Sequence, residues 1–442
     1  MNKITFSALL FALSFTAINA QNNPSKNFGP VTSRCSTVEY EQIIKERDPQ
    51  MLSSRETNEM VSQIIENQKN ARISNNEVEG GTNVLVIPVV VHVIHNGDAY
   101  GLNENIRDEQ VISQITVLNQ DFRRMQGTPG FNSDAVGADV EIEFCLAKRD
   151  PNGQTTTGID RVQLTAASYT SIGAVEAIKP ITIWDPNQYM NIWVVNLGNS
   201  DLLGYAQFPN NSASQASTDG VVIGHRYFGS RTLYPQGTYT SPYDRGRTTT
   251  HEVGHFLGLI HIWGDNSSCT VNATDSFKDF CPDTPAAAND NGTCGVFDSC
   301  PSSPGFDMVE NYMDYTNDSC MNIFTQNQRT RMRTYLTTFN RRQQLLTSLG
   351  CVVPLSTPAF ELIHGLNVYP NPAQSTLNID IKSSDLLPEN YVIYNALGQR
   401  IVNKTVENNV DLSIDISGFT NGVYFIQITR EGESKTLQFV KN

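Results

Sequence analysis

A chain of 442 residues is longer than one ordinary hydrophobic core organises, so two or three domains are expected. Its 39% apolar and 17% charged residues are the composition of a soluble globular protein, and its formal net charge of −14 argues against nucleic acid or an anionic membrane surface as partner. An acidic surface suits bound calcium or basic substrates without choosing between them.

The first residues, "MNKITFSALLFALSFTAINAQ", place Lys3 before an apolar run from Phe6 to Ala17 and small Ala20 before Gln21. This is the pattern of a secretory signal peptide over residues 1–20, cut after Ala20. The run is shorter than the ~20 residues a membrane span needs. No later segment has that length either, so the mature form is expected to be exported without a transmembrane segment. Export permits disulfides, and the eight cysteines are unevenly spread. Cys35, Cys145 and Cys351 stand apart, whereas Cys269, Cys281, Cys294, Cys300 and Cys320 crowd a loop-rich stretch that reads as cross-linked.

Residues 21–80 are polar, with helical patterning only around Glu56–Gln68 and nothing resembling a core; they read as a pro-segment. A second unit, the main folded one, is expected over 81–352. It opens with the β-branched strand "NVLVIPVVVHVIH" (83–95) and continues with a helix in "IRDEQVISQITVLNQDFRRM" (106–125). "DVEIEFCLAKR" (139–149) and "YMNIWVVNL" (189–197) read as strands, and "DLLGYAQFP" (201–209) as a short edge strand stopped by proline. Residues 325–349 read as one helix, opened by a Thr325/Gln328 capping box and stopped at Gly350. A linker (353–365) leads to residues 366–442, whose short alternating strands and Gly, Asn and Pro turns predict an all-β sandwich. The class is α+β followed by that sandwich.

The chemistry is concentrated in "TTHEVGHFLGLIH" (249–261), which holds three of the chain's seven histidines. On a helix His251 and His255 face the same way, a spacing that directs two imidazole nitrogens at one zinc ion. Glu252 is turned from that pair yet reaches a water on the metal's open side. Gly258 lets the chain leave the helix in a conformation costly to any residue with a Cβ, so that His261 returns as the third ligand. This long motif followed by a Met-turn is the metzincin pattern. "ENYMDY" (310–315) supplies the turn, with Met313 as the floor beneath the histidines and Tyr315 in reach of metal or substrate oxyanion. Three neutral imidazoles leave zinc a position for water whose pKa falls toward neutrality; Glu252 then shuttles the proton during peptide hydrolysis.

Together with "IPVVVHVIHN", "NIWVVNL", "LGYAQFP", "DGVVIGH", "DTPA" and "NYMDYTNDSCMNIFTQNQRTRM", the motif resembles the pappalysin (cytophagalysin) branch of the metzincins over roughly residues 30–350. The resemblance implies a secreted zinc endopeptidase made as a zymogen. It implies structural calcium held by Asp279, Asp283 and Thr284 in "KDFCPDTPA", and disulfides Cys269–Cys300 and Cys294–Cys320. Cys281 falls where the family requires no cysteine, and a partner, Cys145 or Cys351, stays open. Asp318 matches the acidic base of the pocket for the side chain after the scissile bond, implying cleavage before Arg and less readily before Lys. Cys35, in "SRCSTVEY", matches a pro-segment cysteine that would occupy the zinc's open position in the zymogen, with a disulfide as its alternative. The same preference implies self-processing before Arg72 or Arg55.

From Leu366, "VYPNP", "IYNALGQRI", "GVYFIQI" and "LQFVKN" resemble the sorting domain of the bacterial type IX secretion system, which implies the outer-membrane secretion machinery as partner and the cell surface or medium as endpoint. A rival reading is a silent adhesion protein using the protease fold as scaffold. A missing ligand or a replaced Glu252 would favour it, and the sequence has neither.

Overall fold

The computed structural model describes residues 34–75, 83–198, 202–269, 279–354, 366–380, 387–430 and 433–442. The expected signal peptide and most of the expected linker lie outside them. Strand β1 (Leu85–His95) is the spine of the larger sheet, and eight successive residues from Ile87 to Ile94 are buried. A Val/Ile run of that kind is what a parallel strand covered on both faces requires. Along one edge β1 pairs in parallel first with β2 (Ile142–Leu146), then with β3 (Ile159–Gln163). On its other side lie β4 (Met190–Val195) and β6 (Val221–Gly224), both parallel, and β5 (Gly204–Ala206) closes the edge antiparallel. The proline-ended edge strand therefore falls at the sheet's rim, and β3 and β6 are strands that periodicity alone did not single out.

The sheet has two cores. One face, through Val89, Val91 and Val93, meets α3 (Asp108–Phe122) and α5 (Arg247–Phe256) by way of Val111, Ile115, Leu118 and Val253. The other, through Ile94, Trp193, Tyr205 and Val222, meets α4 (Ile172–Thr182) and also α1 (Thr37–Arg47) of the N-terminal segment. The expectation that residues 21–80 contribute nothing to a core needs correcting. Tyr40, Ile44, Met51 and Val61 are buried, and α2 (Ser54–Asn75) is longer than its patterned part. The segment borrows the catalytic unit's core, so few apolar anchors suffice and its own amphipathicity is weak.

The helix expected over 325–349 is two, α6 (Gln326–Thr338) and α7 (Asn340–Leu345), preceded by the full Thr325/Gln328 capping box. The break is Phe339, extended at φ −88° and ψ 126°, whose ring packs with Val61 and Tyr335. Beyond it Arg341 and Arg342 both reach buried Asp219, at 2.7 and 2.8 Å. The C-terminal region holds β7 (Asn367–Tyr369), β8 (Thr376–Asp380), β9 (Asn390–Asn395), β10 (Arg400–Thr405), β11 (Ser413–Asp415), β12 (Gly422–Arg430) and β13 (Glu433–Lys441) in two antiparallel sheets, ordered β10-β9-β12-β13 and β11-β8-β7. They share a core of Leu377, Ile379, Ile393, Ile426, Ile428 and Phe439. The class is α+β with a small all-β unit, as expected. Among the described residues no helix is long and apolar enough to cross a membrane.

Candidate metal centre and active site

Helix α5 aims His251 and His255 at one point, and Gly258 turns the chain there at φ +93°. A side chain at 258 would fail twice, since its Cβ would also lie 2.1 Å from Cε2 of Tyr335. The turn returns His261, and Nε2 of His255 stands 3.1 Å from Nε2 of both His251 and His261. Each Nδ1 is engaged elsewhere: His251 with the Tyr312 carbonyl at 2.7 Å, His255 with the Leu259 carbonyl at 2.8 Å, and His261 with Asp265 Oδ1 at 2.5 Å. Those acceptors assign the proton to Nδ1 and leave Nε2 as a bare lone pair. Burial favours the neutral imidazoles, holding His251 down to about 3 and His255 well below its usual range. Converging lone pairs repel unless a cation lies between them. Cys35 Sγ completes the group, and the four ligand atoms lie within 4.8 Å of one another. Three nitrogens and one sulfur in that volume fit zinc.

Glu252, beside this centre, is buried, and burial pushes its carboxyl up to about 7. Its Oε2 accepts from the Thr37 hydroxyl at 2.9 Å and from Cys35 Sγ at 3.5 Å. Thr37 Oγ1 in turn accepts from the Ala206 amide at 2.9 Å, so one N-terminal residue ties the rim strand to the carboxylate. Met313 lies under α5, where a Cβ on Gly254 would come within 2.4 Å of its sulfur. The Tyr315 hydroxyl donates to the Cys35 carbonyl at 3.3 Å, and its ring centroid is 4.9 Å from that of His261.

One cavity beside the centre is lined by Arg34, Leu203, Tyr243, Arg247, Glu252 and Asp318, among others. Asp318 Oδ2 accepts from the Arg245 and Arg247 amides at 2.7 and 3.2 Å. Burial pushes its carboxyl up to about 6. The Arg34 guanidinium lies 4.4 Å over the Tyr243 ring and donates through Nη2 to the Gly292 carbonyl at 2.9 Å.

Residues 176–337 match the peptidase family M43, described as pregnancy-associated plasma protein-A, and residues 367–442 match the secretion system C-terminal sorting domain. An extracellular metalloprotease of Arthroderma benhamiae is 32% identical over 251 residues, covering 56% of this chain and 76% of that one. Mature mirolysin of Tannerella forsythia, solved with a cleaved peptide, is 44% identical with a TM-score of 0.52, covering 60% of this chain and 97% of that one. A promirolysin mutant of the same organism is 38% identical with a TM-score of 0.55, covering 71% and 97%. The chain belongs to the M43 metalloproteases. It is a zinc endopeptidase made as a zymogen, acting on protein or peptide substrates. Its sorting domain directs it through the secretion machinery to the cell surface or medium.

Other M43 features of the sequence fall as follows. Cys269–Cys300 and Cys294–Cys320 are disulfides, with Cα atoms 5.6 and 5.7 Å apart. The open pairing resolves as Cys145–Cys351, which leaves Cys281 buried and without a disulfide. In the loop ahead of α6, Asp279 Oδ2 accepts from Thr284 Oγ1 at 2.6 Å, and that hydroxyl also lies 2.6 Å from the Cys281 carbonyl. Asp283 is turned away: its two oxygens accept from Thr325 Oγ1 at 2.8 Å and the Asn327 amide at 2.9 Å. Of the two arginines expected to mark processing, Arg55 sits in the first turn of α2 and donates to the Gly264 carbonyl, and Arg72 lies in its last turn. Sequence reasoning missed Arg34, Thr37 and Asp265. The first two flank Cys35 in a stretch already singled out, and Asp265 is an acid four residues beyond a ligand histidine, the kind of partner such a ligand uses.

Proposed function

We propose that His251, His255 and His261 hold the zinc, that Glu252 and Tyr315 are the catalytic residues, and that cleavage falls before Arg, less readily before Lys. The observation that carries this is the convergence of three Nε2 atoms beside the buried Glu252. Bound zinc would polarise the scissile carbonyl and acidify a water. Glu252, freed of Thr37 and Cys35, takes a proton from the attacking water at Oε2 and delivers it to the leaving nitrogen. Tyr315 donates to the carbonyl oxygen as charge grows there; its present acceptor, the Cys35 carbonyl, stands in for the substrate's.

Asp318 selects the residue after the cut. Its Oδ1 is not held by the two backbone amides, and Arg34 of the chain's own N-terminal segment already lies in that cavity. Latency follows from Cys35 at the fourth metal position and Thr37 on Glu252. Residues 21–80 are the pro-segment, residues 81–352 the catalytic domain and 366–442 the sorting domain. Processing falls before Arg72 rather than Arg55: both bonds lie in α2, but Arg72 is in its last turn, whereas the Ser54–Arg55 bond is pinned by Ser54 Oγ donating to Glu41 at 2.9 Å and by Arg55 donating to the Gly264 carbonyl. Calcium would be held by Asp279, the neutral Thr284 hydroxyl oxygen and the Cys281 carbonyl, three oxygens that hydrogen bonds already bring together, and Asp283 caps α6 instead.

The test is Glu252→Ala in the processed enzyme. Metal analysis should still find one zinc per chain, while hydrolysis of an Arg-containing quenched peptide is abolished. Undiminished hydrolysis, or correctly folded processed enzyme without stoichiometric zinc, refutes the assignment.

A further inference from the structure

The N-terminal segment runs along the rim strand in one direction. The Leu203 amide donates to the Arg34 carbonyl at 3.0 Å, the Ser36 amide to the Gly204 carbonyl at 3.3 Å, and the Ala206 amide to Thr37 Oγ1 at 2.9 Å. One turn further, Tyr40 reaches Gln207. Along the rim, Arg34 stands at the Asp318 end and Tyr40 at the opposite end, beyond Cys35, with its ring over the sheet face that α4 covers rather than the face of α5.

There Tyr40 is fully buried in a chamber of unusual composition. Its hydroxyl lies 2.7 Å from Glu176 Oε2 and 3.2 Å from Gln207 Oε1. Lys179 Nζ stands 4.7 Å from its ring centroid, 4.8 Å from that of Tyr205 and 5.1 Å from that of Trp193. The Tyr205 ring meets the Tyr40 ring edge-on at 4.9 Å. A phenol is recognised here on three counts: an acceptor pair for its proton, a cation over its face, and aromatic walls.

The chamber does not need Tyr40 to hold its shape. Glu176 Oε1 is fixed by Lys179 at 2.7 Å and by the Tyr205 hydroxyl at 3.2 Å. Gln207 is fixed by its amide on the Gln215 carbonyl at 2.9 Å and by the Thr218 hydroxyl on its Oε1 at 3.0 Å. Departure of the pro-segment leaves this frame intact and removes the donor to Glu176 Oε2. A phenol entering there finds a charged acceptor already held in place by Lys179 and Tyr205.

We propose that in the processed enzyme this chamber is a substrate subsite for a phenolic side chain, a tyrosine lying before the scissile bond. The assignment to that side rests on reading Asp318 as the pocket for the residue after the cut. The shared frame makes Glu176 and Gln207 specificity-determining residues, and the zymogen borrows their selectivity through Tyr40.

The test uses the processed enzyme and quenched peptides in which Tyr, Phe or Ala is scanned through the four positions before a fixed Arg, with every cut mapped by mass spectrometry. At one position Tyr should exceed Phe by about tenfold in kcat/KM, the worth of a hydrogen bond to a buried charged acceptor, and exceed Ala further. In Glu176→Gln the Tyr/Phe ratio at that position should fall toward one; being a ratio, it is insensitive to the amount of folded enzyme. Equal rates for Tyr, Phe and Ala at every position overturn the proposal, and so does Phe equal to Tyr. Because cuts are mapped, the two readings separate. A retained Arg preference with no Tyr effect sinks the chamber alone. A Tyr effect at a fixed distance from the cut, with no Arg preference, sinks the Asp318 assignment alone.

Discussion

Replacing Asp318 by Asn should move two measured quantities in opposite directions. The carboxyl is 3% exposed, and burial raises its pKa from 3.8 to about 6. A carboxyl raised by folding makes its stabilising contribution at low pH. That contribution is lost as pH climbs from the ordinary carboxylate range through 6, because the unfolded chain ionises the group more easily. Ionising it in the folded chain therefore carries a strain on the order of 3 kcal/mol at neutral pH. Asparagine keeps an oxygen for the Arg245 and Arg247 amides and carries no charge, so it should recover roughly 1–3 kcal/mol, or about 2–4 °C in Tm per kcal/mol for a domain of this size. The gain should vanish below about pH 4, where aspartic acid is also neutral. Activity goes the other way. Losing the partner of a desolvated guanidinium costs about 2–5 kcal/mol, a fall of about thirtyfold to several thousandfold in kcat/KM before Arg. Cleavage before Leu should hardly change. Thermal scans from pH 4 to 8 and paired Arg and Leu peptides measure both, and the Arg/Leu ratio cancels the titration of Glu252. An Asn variant with lower Tm at pH 7 and an unchanged Arg/Leu ratio would refute the reasoning.

Gly258→Ala should cost about 3–5 kcal/mol, combining a left-handed backbone with a Cβ driven into the Tyr335 ring. Chemical denaturation checks it, and a loss under 1 kcal/mol would contradict the geometry. In the full zymogen, Cys35→Ala should release self-processing most and Thr37→Val less, since valine frees Glu252 but leaves the thiol in place. Gel assays of conversion rate should rank the two above the unaltered chain, and a Thr37→Val zymogen as stable as its parent would remove Thr37 from latency. Calcium chelation should lower the Tm of the processed enzyme. That response should disappear in Asp279→Ala and persist in Asp283→Ala, which should lose about 1 kcal/mol with its bonds to the Thr325 hydroxyl and the Asn327 amide under either condition.

What could be read from the sequence, and what could not, divides along a physical line. The metal centre was legible because coordination fixes residue type and spacing together: two imidazoles one helical turn apart, a glycine at the only φ that returns the chain, and a third imidazole. Strand β1 was legible because burial on both faces leaves only apolar residues. The break at Phe339 was invisible, since phenylalanine is acceptable inside a helix and only its docking against Val61 and Tyr335 turns the chain. The Cys145–Cys351 pairing was equally hidden, because it depends on β2 lying beside the chain after α7, where the Lys148 amide meets the Gly350 carbonyl at 2.7 Å. The N-terminal segment is the sharpest case. Its composition says surface, yet Thr37, Tyr40 and Asn58 are almost wholly buried. Each is polar because what it covers is polar: Thr37 meets Glu252 and a rim-strand amide, Tyr40 meets Glu176, and Asn58 meets the Gly258 carbonyl at 3.1 Å. A segment that must later leave has to satisfy a cleft built for hydrated peptide. An apolar plug would hold it too firmly and leave those groups unpaired. Polarity in residues 34–75 thus marks a removable partner of the cleft rather than a solvated tail, and only the cleft's own chemistry makes that readable.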